Sequence, residues 1–393
     1  MAGRVPVLWI TGPAGVGKSA VSWQLFTELA SSGTRAGLAD ADQLCMCYPP
    51  PPDDPSRDCI RACNAGVVIR NYQAAGARRV ILNGVINPVL GVLPDLLGPA
   101  ELMVCRLRAE PEEVARRLAG RRPASSSGQG DALDALRLVR EDCSRMDASR
   151  FADVCVDTTG VPAAVVARLV RDSCRDWRGF RDAVGQQECA APASPGGAAE
   201  DGAHATGRVL LLCGPTGVGK STIGFQLYLR SLRAGLTAGY IDLDQIGFLT
   251  PTSDDDPHRH RVKARNLAAI WRNYQAEGAT HLVVTGPVES QAALQIYLAA
   301  LPGAVVTACR LHAGPAELAR RILTRADGGS WPQPGDPLRG QSARYLSKAA
   351  EQAAAEALAL DRSSLEARRV DTDGRTADQA ADVVAAAAGW PDA

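Results

Sequence analysis

Residues 5–19 read VPVLWITGPAGVGKS and residues 207–221 read GRVLLLCGPTGVGKS. In each, an apolar run meets a glycine-spaced turn that ends in lysine and serine. An apolar run without alternation is the pattern of a strand buried on both faces, as in a parallel sheet. The turns, Gly12 to Ser19 and Gly214 to Ser221, fit G-x-x-x-x-G-K-[ST], and each opens a helix, which is the context that pattern demands. Gly12, Gly15, Gly17 and their twins Gly214, Gly217, Gly219 let the backbone wrap a phosphate with its N–H groups turned inward. The helix N-terminus adds positive potential. Lys18 and Lys220 reach the β- and γ-phosphates, and the hydroxyls of Ser19 and Ser221 ligate Mg²⁺. Ala20 and Thr222 complete the expected nucleotide-binding segments. Of 43 basic residues only four are lysine (18, 220, 263 and 348), so lysine stands where a compact ammonium is needed.

The chain is written twice. At the same offset, DADQL (40–44) meets DLDQI (242–246), RNYQA (70–74) meets RNYQA (272–276), and VILNG (80–84) meets LVVTG (282–286). After a small slip, CRLRAEPEEVARRL (105–118) meets CRLHAGPAELARRI (309–322), and VDTTG (156–160) meets VDTDG (370–374). The period is too long for a solenoid, so it reads as two copies of one domain. Residues 185–206, GQQECAAPASPGGAAEDGAHAT, have linker composition. The expected domains are 1–184 and 207–393.

Within copy one, strands are expected at 5–11, 36–40, 79–83, 102–107 and 153–157, with helices at 18–30, 56–75, 111–121 and 162–175. Copy two repeats this from Arg208 to Ala388. Alternating strand and helix implies α/β architecture: two tandem P-loop NTPase domains, each a three-layer αβα fold on a mostly parallel five-stranded sheet. The stretches 122–150 and 326–368 vary between the copies, and copy two is longer there.

Composition bounds the function. A chain of 393 residues suits two domains, and 46% hydrophobic with 22% charged residues is globular. Basic and acidic residues balance at 43 each, which argues against a general nucleic-acid or anionic-membrane binder. No apolar run is long enough to span a membrane, and the N-terminus leads straight into the first strand, so a cytoplasmic location is expected. Reduced thiols are the default for the eleven cysteines, although the spacing of Cys45, Cys47, Cys59 and Cys63 admits a zinc ion.

Twenty-two residues after each loop lysine comes Asp-x-Asp-Gln: Asp40, Asp42, Gln43 and Asp242, Asp244, Gln245. The pair ends a parallel strand, where open α/β sheets bind ligands. One carboxylate can hold a metal-bound water, and the other can accept the proton of an attacking hydroxyl.

This order of motifs resembles the small-molecule branch of P-loop kinases, which includes shikimate kinase, gluconate kinase, adenylylsulfate kinase, chloramphenicol phosphotransferase and the zeta-type toxins. The resemblance implies that Asp42 and Asp244 contact the acceptor hydroxyl and that Asp40 and Asp242 lie near the metal. It implies that Arg117 and Arg321 pack near the adenine or the lid, and that Asp157-Thr158 and Asp371-Thr372 form the adenine-side loop. The doubled glycine common after the third strand is absent: Gly84 and Gly286 are followed by Val85 and Pro287. The lid arginine has several candidates: Arg121 and Arg122 in copy one, Arg325, Arg339 and Arg344 in copy two.

The helix after the second strand carries Arg57, Arg61 and Asn64 in copy one and Arg259, Lys263 and Asn266 in copy two, on one face. The basic members, Arg57, Arg61, Arg259 and Lys263, are candidates to recognise an anionic or polyhydroxy acceptor; a solvated face paired with Asp254 to Asp256 is the alternative. Asn71, Tyr72, Gln73 and their twins read as packing at the helix end rather than as ligand contacts.

The expectation is Mg²⁺- and ATP-dependent phosphoryl transfer to a small-molecule alcohol, with Lys18, Asp42, Lys220 and Asp244 as the catalytic residues. ATP is favoured over GTP because no N-K-x-D signature occurs. The alternative is a nucleotide-binding regulator or slow ATPase. Copy one, with its shorter variable segment and less basic charge, is the first suspect as a structural partner, so losing Lys220 is expected to cost more turnover than losing Lys18.

Overall fold

The computed structural model describes residues 4–98, 100–119, 129–174, 177, 207–326, 336 and 338–391, with backbone alone over 129–135. The linker 185–206 and the lid candidates Arg121 and Arg122 lie outside the described residues.

Copy one runs β1 (Val5–Thr11), α1 (Lys18–Ser31), β2 (Ala36–Asp40), β3 (Cys47–Tyr48), α2 (Asp58–Ala74), β4 (Arg79–Asn83), α3 (Pro94–Leu97), β5 (Ala100–Arg108), α4 (Pro111–Ala119), α5 (Gln129–Asp147), β6 (Val154–Asp157) and α6 (Ala163–Ser173). Copy two runs β7 (Arg208–Cys213), α7 (Lys220–Arg233), β8 (Ala238–Asp242), β9 (Phe248–Thr250), α8 (His260–Ala276), β10 (His281–Thr285), α9 (Gln291–Ala300), β11 (Val305–His312), α10 (Pro315–Ala326), α11 (Ala343–Arg362), β12 (Arg368–Asp371) and α12 (Ala377–Ala388). The variable stretches, for which no element was expected, hold α5 and α11. Along α11 the buried residues Leu346, Ala353, Ala357 and Leu360 recur at helical spacing, so one stripe packs inward while the other faces stay wet.

Each copy supplies the expected five parallel strands. The strand orders are β6-β5-β1-β4-β2-β9 and β12-β11-β7-β10-β8-β3. The five-stranded expectation needs one amendment: each sheet has a sixth strand, antiparallel, and it comes from the other copy. Strand β9 lies along β2, with Ala36 opposite Thr250 and Leu38 opposite Phe248. Strand β3 lies along β8, with Cys47 opposite Gly239 and Tyr48 opposite Ala238. The exchange is reciprocal. It covers the edges that β2 and β8 would otherwise leave open, with unpaired N–H and C=O groups.

Side chains follow the strands across. Phe248 packs edge-on against Trp23 at 5.3 Å and lies 6.4 Å from Phe26, both on α1 of the other copy. Met46 and Tyr48 pack reciprocally on the core of copy two. Helices α2 and α8 pack together, and one buried apolar cluster joins Val68, Ile69 and Tyr72 of copy one to Leu267, Ile270 and Tyr274 of copy two. The two sheets thus share a core instead of being joined by a linker alone. Loops at the strand ends are fastened across the sheet: Ala41 N–H donates to Asn83 O at 2.6 Å, and Leu243 N–H to Thr285 O at 2.7 Å. Together with Gly84 N–H on Ile10 O and Gly286 N–H on Leu212 O, these bonds bring the ends of the first three parallel strands of each copy to one edge.

Candidate functional site

At that edge the phosphate loops take the shape their glycines allow. Gly12 has φ 143° and Gly214 φ 141°. A Cβ on Gly12 would lie 2.4 Å from Leu107 O, and one on Gly214 2.5 Å from Leu311 O, so no side chain fits at either. Gly17 and Gly219 cap α1 and α7 in the left-handed region, and neither offers a side chain to cap its helix. A helix N-terminus without a capping side chain suits an anion. The lysines fold back across the loop. Lys18 Nζ donates to Gly12 O at 2.9 Å and Pro13 O at 3.2 Å; Lys220 Nζ donates to Gly214 O at 2.9 Å and Pro215 O at 3.0 Å. Burial lowers the affinity of Lys220 for its proton, against the opposing charges of Asp244 and Asp242.

The two acidic turns share one geometry: Asp42 N–H donates to Asp40 Oδ1, and Asp244 N–H to Asp242 Oδ1, both at 3.0 Å. Burial, then the neighbouring Asp42, pushes the Asp40 carboxyl up to about 7. Burial and Asp244 likewise raise Asp242, whose Oδ2 accepts from Ser221 Oγ at 2.8 Å. A buried carboxylate with a serine hydroxyl beside a phosphate loop is a hard-oxygen donor set that wants a cation, and it fits Mg²⁺. Ser19 with Asp40, and Ser221 with Asp242, are the side chains that would hold it. Among the described residues, no cluster of three or more His, Cys, Asp or Glu side chains forms a further metal site. Cys45 and Cys47 are buried thiols, whereas Cys59 is exposed.

Beyond the acidic turns the copies diverge. In copy one, Asp42 Oδ1 accepts from Val85 N–H at 3.0 Å and lies 3.5 Å from Arg61 Nε. Arg61 also pairs with Asp58, whose other oxygen accepts from Asn87 Nδ2 at 2.7 Å. In copy two, Pro287 replaces Val85 and has no N–H to give. There Lys263 Nζ sits 2.8 Å from Asp244 Oδ1, its side chain only 2% exposed. Burial works against the charge on Asp244, but the Lys263 ammonium, with Lys220 and Arg259 beyond it, holds its carboxyl below the usual range. Asp58 is replaced by His260, which bonds Tyr297 Oη through Nδ1 at 2.8 Å and Glu289 through Nε2 at 2.9 Å. Burial opposes the charge on Glu289, and the hydrogen bond from His260 more than offsets it, so its carboxyl titrates low.

Arg61 and Lys263 therefore meet the acidic pair. Arg57 and Arg259 do not touch it. Both have left-handed backbones, φ 57° and 59°, and their NH1 groups donate to Cys45 O at 3.0 Å and Leu249 O at 3.4 Å. Arg57 also stacks over Tyr48 at 4.0 Å. These two arginines seat the exchanged segments.

Arg117 and Arg321 make identical clamps. Arg117 NH1 donates to Val16 O at 3.0 Å and to Thr158 Oγ1 at 3.1 Å, and NH2 to Thr158 O at 2.7 Å. Arg321 binds Val218 O, Thr372 Oγ1 and Thr372 O at 2.8, 2.9 and 2.7 Å. Each ties the phosphate loop to the turn after the last strand, and each is oriented by a glutamate one turn back, Glu113 or Glu317. Beside the copy-one clamp is a cavity of about 410 Å³ lined by Gly15, Gly17, Ala20 and Thr158 among others. Of the remaining lid candidates, Arg325 is held 2.8 Å from Asp336, Arg344 is exposed near the start of α11, and Arg339 lines this same cavity of the other copy.

Sequence reading did not single out Asp58, Asn87, Glu289, Tyr297 or Glu356. Glu356 on α11 accepts from Thr216 N–H of the phosphate loop at 3.1 Å. No local pattern marks it, because it comes from the stretch where the copies differ most.

No protein-family model matches the chain, and no curated protein matches it. Solved structures that resemble it each cover about half its length. The tunicamycin resistance protein of Deinococcus radiodurans is 19% identical over 48% of this chain and 98% of its own, with a TM-score of 0.31. A sugar kinase of Janibacter is 14% identical over 47% and 100%, TM-score 0.32. Shikimate kinase of Acinetobacter baumannii, solved with shikimate, is 16% identical over 42% and 90%, TM-score 0.28.

Proposed function

We propose that the protein binds ATP with Mg²⁺ at each phosphate loop and transfers the γ-phosphoryl group to the hydroxyl of a small molecule. The observation that carries this reading is the grouping at one sheet edge of Lys220, the bonded pair Ser221–Asp242, and Asp244 with its buried partner Lys263. Copy one repeats part of it, with Lys18 on its loop carbonyls and Asp42 beside Arg61; Ser19 and Asp40 hold the matching sequence positions. The bound metal ion would supply charge stabilisation to the β- and γ-phosphates. Lys18 or Lys220 swings from its loop carbonyls to the γ-phosphate. Asp42 or Asp244 orients the acceptor hydroxyl and takes its proton as the new O–P bond forms and the bond to the β-phosphate oxygen breaks. Lys263 holds Asp244 ionised for that task, and Arg61 and Lys263 offer a cation to an anionic or polyhydroxy acceptor. Arg117 and Arg321 keep the loop registered against the base-side turn.

The exchanged strands favour a second reading, a nucleotide-dependent regulator or slow ATPase, since each phosphate loop belongs to a sheet completed by the other copy. The test is a screen of small-molecule alcohols for ATP-dependent phosphorylation by the full chain. Acceptor-stimulated ATP consumption, lost more fully in Lys220→Ala than in Lys18→Ala, is expected. Steady hydrolysis that no acceptor accelerates would replace transfer with the second reading, and no nucleotide uptake by calorimetry would overturn both.

A further inference from the structure

The cavity beside the phosphate loop of copy one is lined in part by a residue of copy two. Its inner wall is Val16 of the loop, Thr158 of the turn after β6, and the apolar side chains of Val161 and Val166. Arg339, from the segment between α10 and α11, also lines it.

Arg339 is presented from a firmly seated turn. Leu338 beside it is 2% exposed and belongs to the core of copy two. Asp336 fixes the approach: one oxygen takes Arg325 Nε at 2.8 Å and the other accepts from Leu338 N–H at 3.0 Å. Gln341 N–H closes the turn on Leu338 O at 3.3 Å. With Leu338 anchored inward, Arg339 is turned outward and exposed. The other guanidiniums of the cavity are already engaged. Arg117 is spent on Val16, Thr158 and Glu113, and Arg116 on Glu113. Arg339 has no ion pair among the described residues.

Resting on the reading that each phosphate loop binds a nucleotide, we infer that Arg339 of copy two covers the base end of the purine nucleotide held by copy one. The site of copy one is then composite. A cavity lined by valine side chains and a planar cation suits the flat face of a purine, which an arginine covers by stacking and cation–π attraction. The triphosphate is gripped elsewhere, by the loop amides and Lys18. In this arrangement the longer variable segment of copy two serves the other copy.

The full chain tests this through its single-loop variants. Lys220→Ala leaves the loop of copy one as the intact site, and Lys18→Ala leaves that of copy two. Calorimetric titration with Mg·ATP and with Mg·tripolyphosphate separates base from phosphate contacts. In the Lys220→Ala background, Arg339→Ala is expected to weaken ATP binding roughly threefold to thirtyfold and to spare tripolyphosphate. Arg339→Lys, which keeps the charge and loses the plane, is expected to fall between the wild type and the alanine variant. No fall in ATP affinity overturns the inference. An equal fall for ATP and tripolyphosphate moves the guanidinium onto the phosphates and overturns it too. A fall in the Lys18→Ala background instead would return Arg339 to its own copy. If neither single-loop variant binds Mg·ATP, the nucleotide reading itself fails; if both bind it and Arg339 has no effect, only the inference does.

Discussion

Asn71 Nδ2 donates to Asn266 Oδ1 across the α2–α8 contact at 2.9 Å, and Asn273 Nδ2 donates to Asn64 Oδ1 at 2.7 Å. The same crossed bond is thus made twice, once in each direction. Asn64 and Asn266 are fully buried, and their own amides donate to Leu44 O and Ile246 O, both at 2.6 Å. Each amide therefore ties its own acidic turn to the other copy's helix.

Asn266→Leu should leave the Ile246 carbonyl and the Asn71 amide without partners. Unsatisfied buried polar groups cost about 1–3 kcal/mol each. Urea denaturation of the variant is expected to show a loss of that order in one cooperative transition spanning both copies. Separate transitions for the two copies would argue against a shared core.

Separated halves should not persist as monomers. Each would carry an open edge on β2 or β8, an unused exchange strand and a bare α2 or α8 face. The expected product is a strand-exchanged homodimer of each half, and a heterodimer on mixing, because the matched repeats can stand in for one another. Light scattering that finds two stable monomers would contradict the exchange.

Asp244→Asn should destabilise the protein more than Asp42→Asn. Removing Asp244 strands Lys263, whose side chain is 2% exposed, whereas Arg61 keeps its pair with Asp58 when Asp42 is changed. Breaking a buried pair costs about 3–5 kcal/mol, and the half-exposed carboxylate reduces that to roughly 2 kcal/mol here. Lys263→Met with Asp244→Asn should recover most of the stability while leaving phosphoryl transfer lost. A single Asp244→Asn as stable as wild type would remove the pair from the account.

The clamp on Arg321 should be acid-sensitive. Arg320 and Arg321 hold the Glu317 carboxyl down at about 2, against an ordinary value of 4.5. A depressed carboxyl contributes stability that is present above 4.5 and lost as the pH falls toward 2. Glu317→Gln should therefore melt below wild type at pH near 7, and the gap should narrow as the pH drops below about 4.5. A gap independent of pH would mean that the glutamate acts through packing alone.

Much of this was readable one residue at a time. The loops 12–19 and 214–221 follow from glycine sterics and the helix terminus, both local. The acidic turns follow because a parallel strand ends where ligands bind, and the repeat fixed their spacing. Asn71–Tyr72–Gln73 read as packing at a helix end, which is their role, but the partner was hidden. Two residues at Cys47–Tyr48 and three at Phe248–Thr250 are too few to show a strand period, so the exchanged edges left no signal.

The linear order of residues by itself determined that there are two copies and that each is a parallel α/β unit, because those outcomes rest on short-range backbone sterics and on apolar periodicity. Only the tertiary structure decided which copy completes which sheet, which cation faces which carboxylate, and that Arg339 stands at the cavity of the other copy. Those relationships extend to residues more than two hundred positions apart, and they are set by burial and shape matching between surfaces that no local pattern encodes.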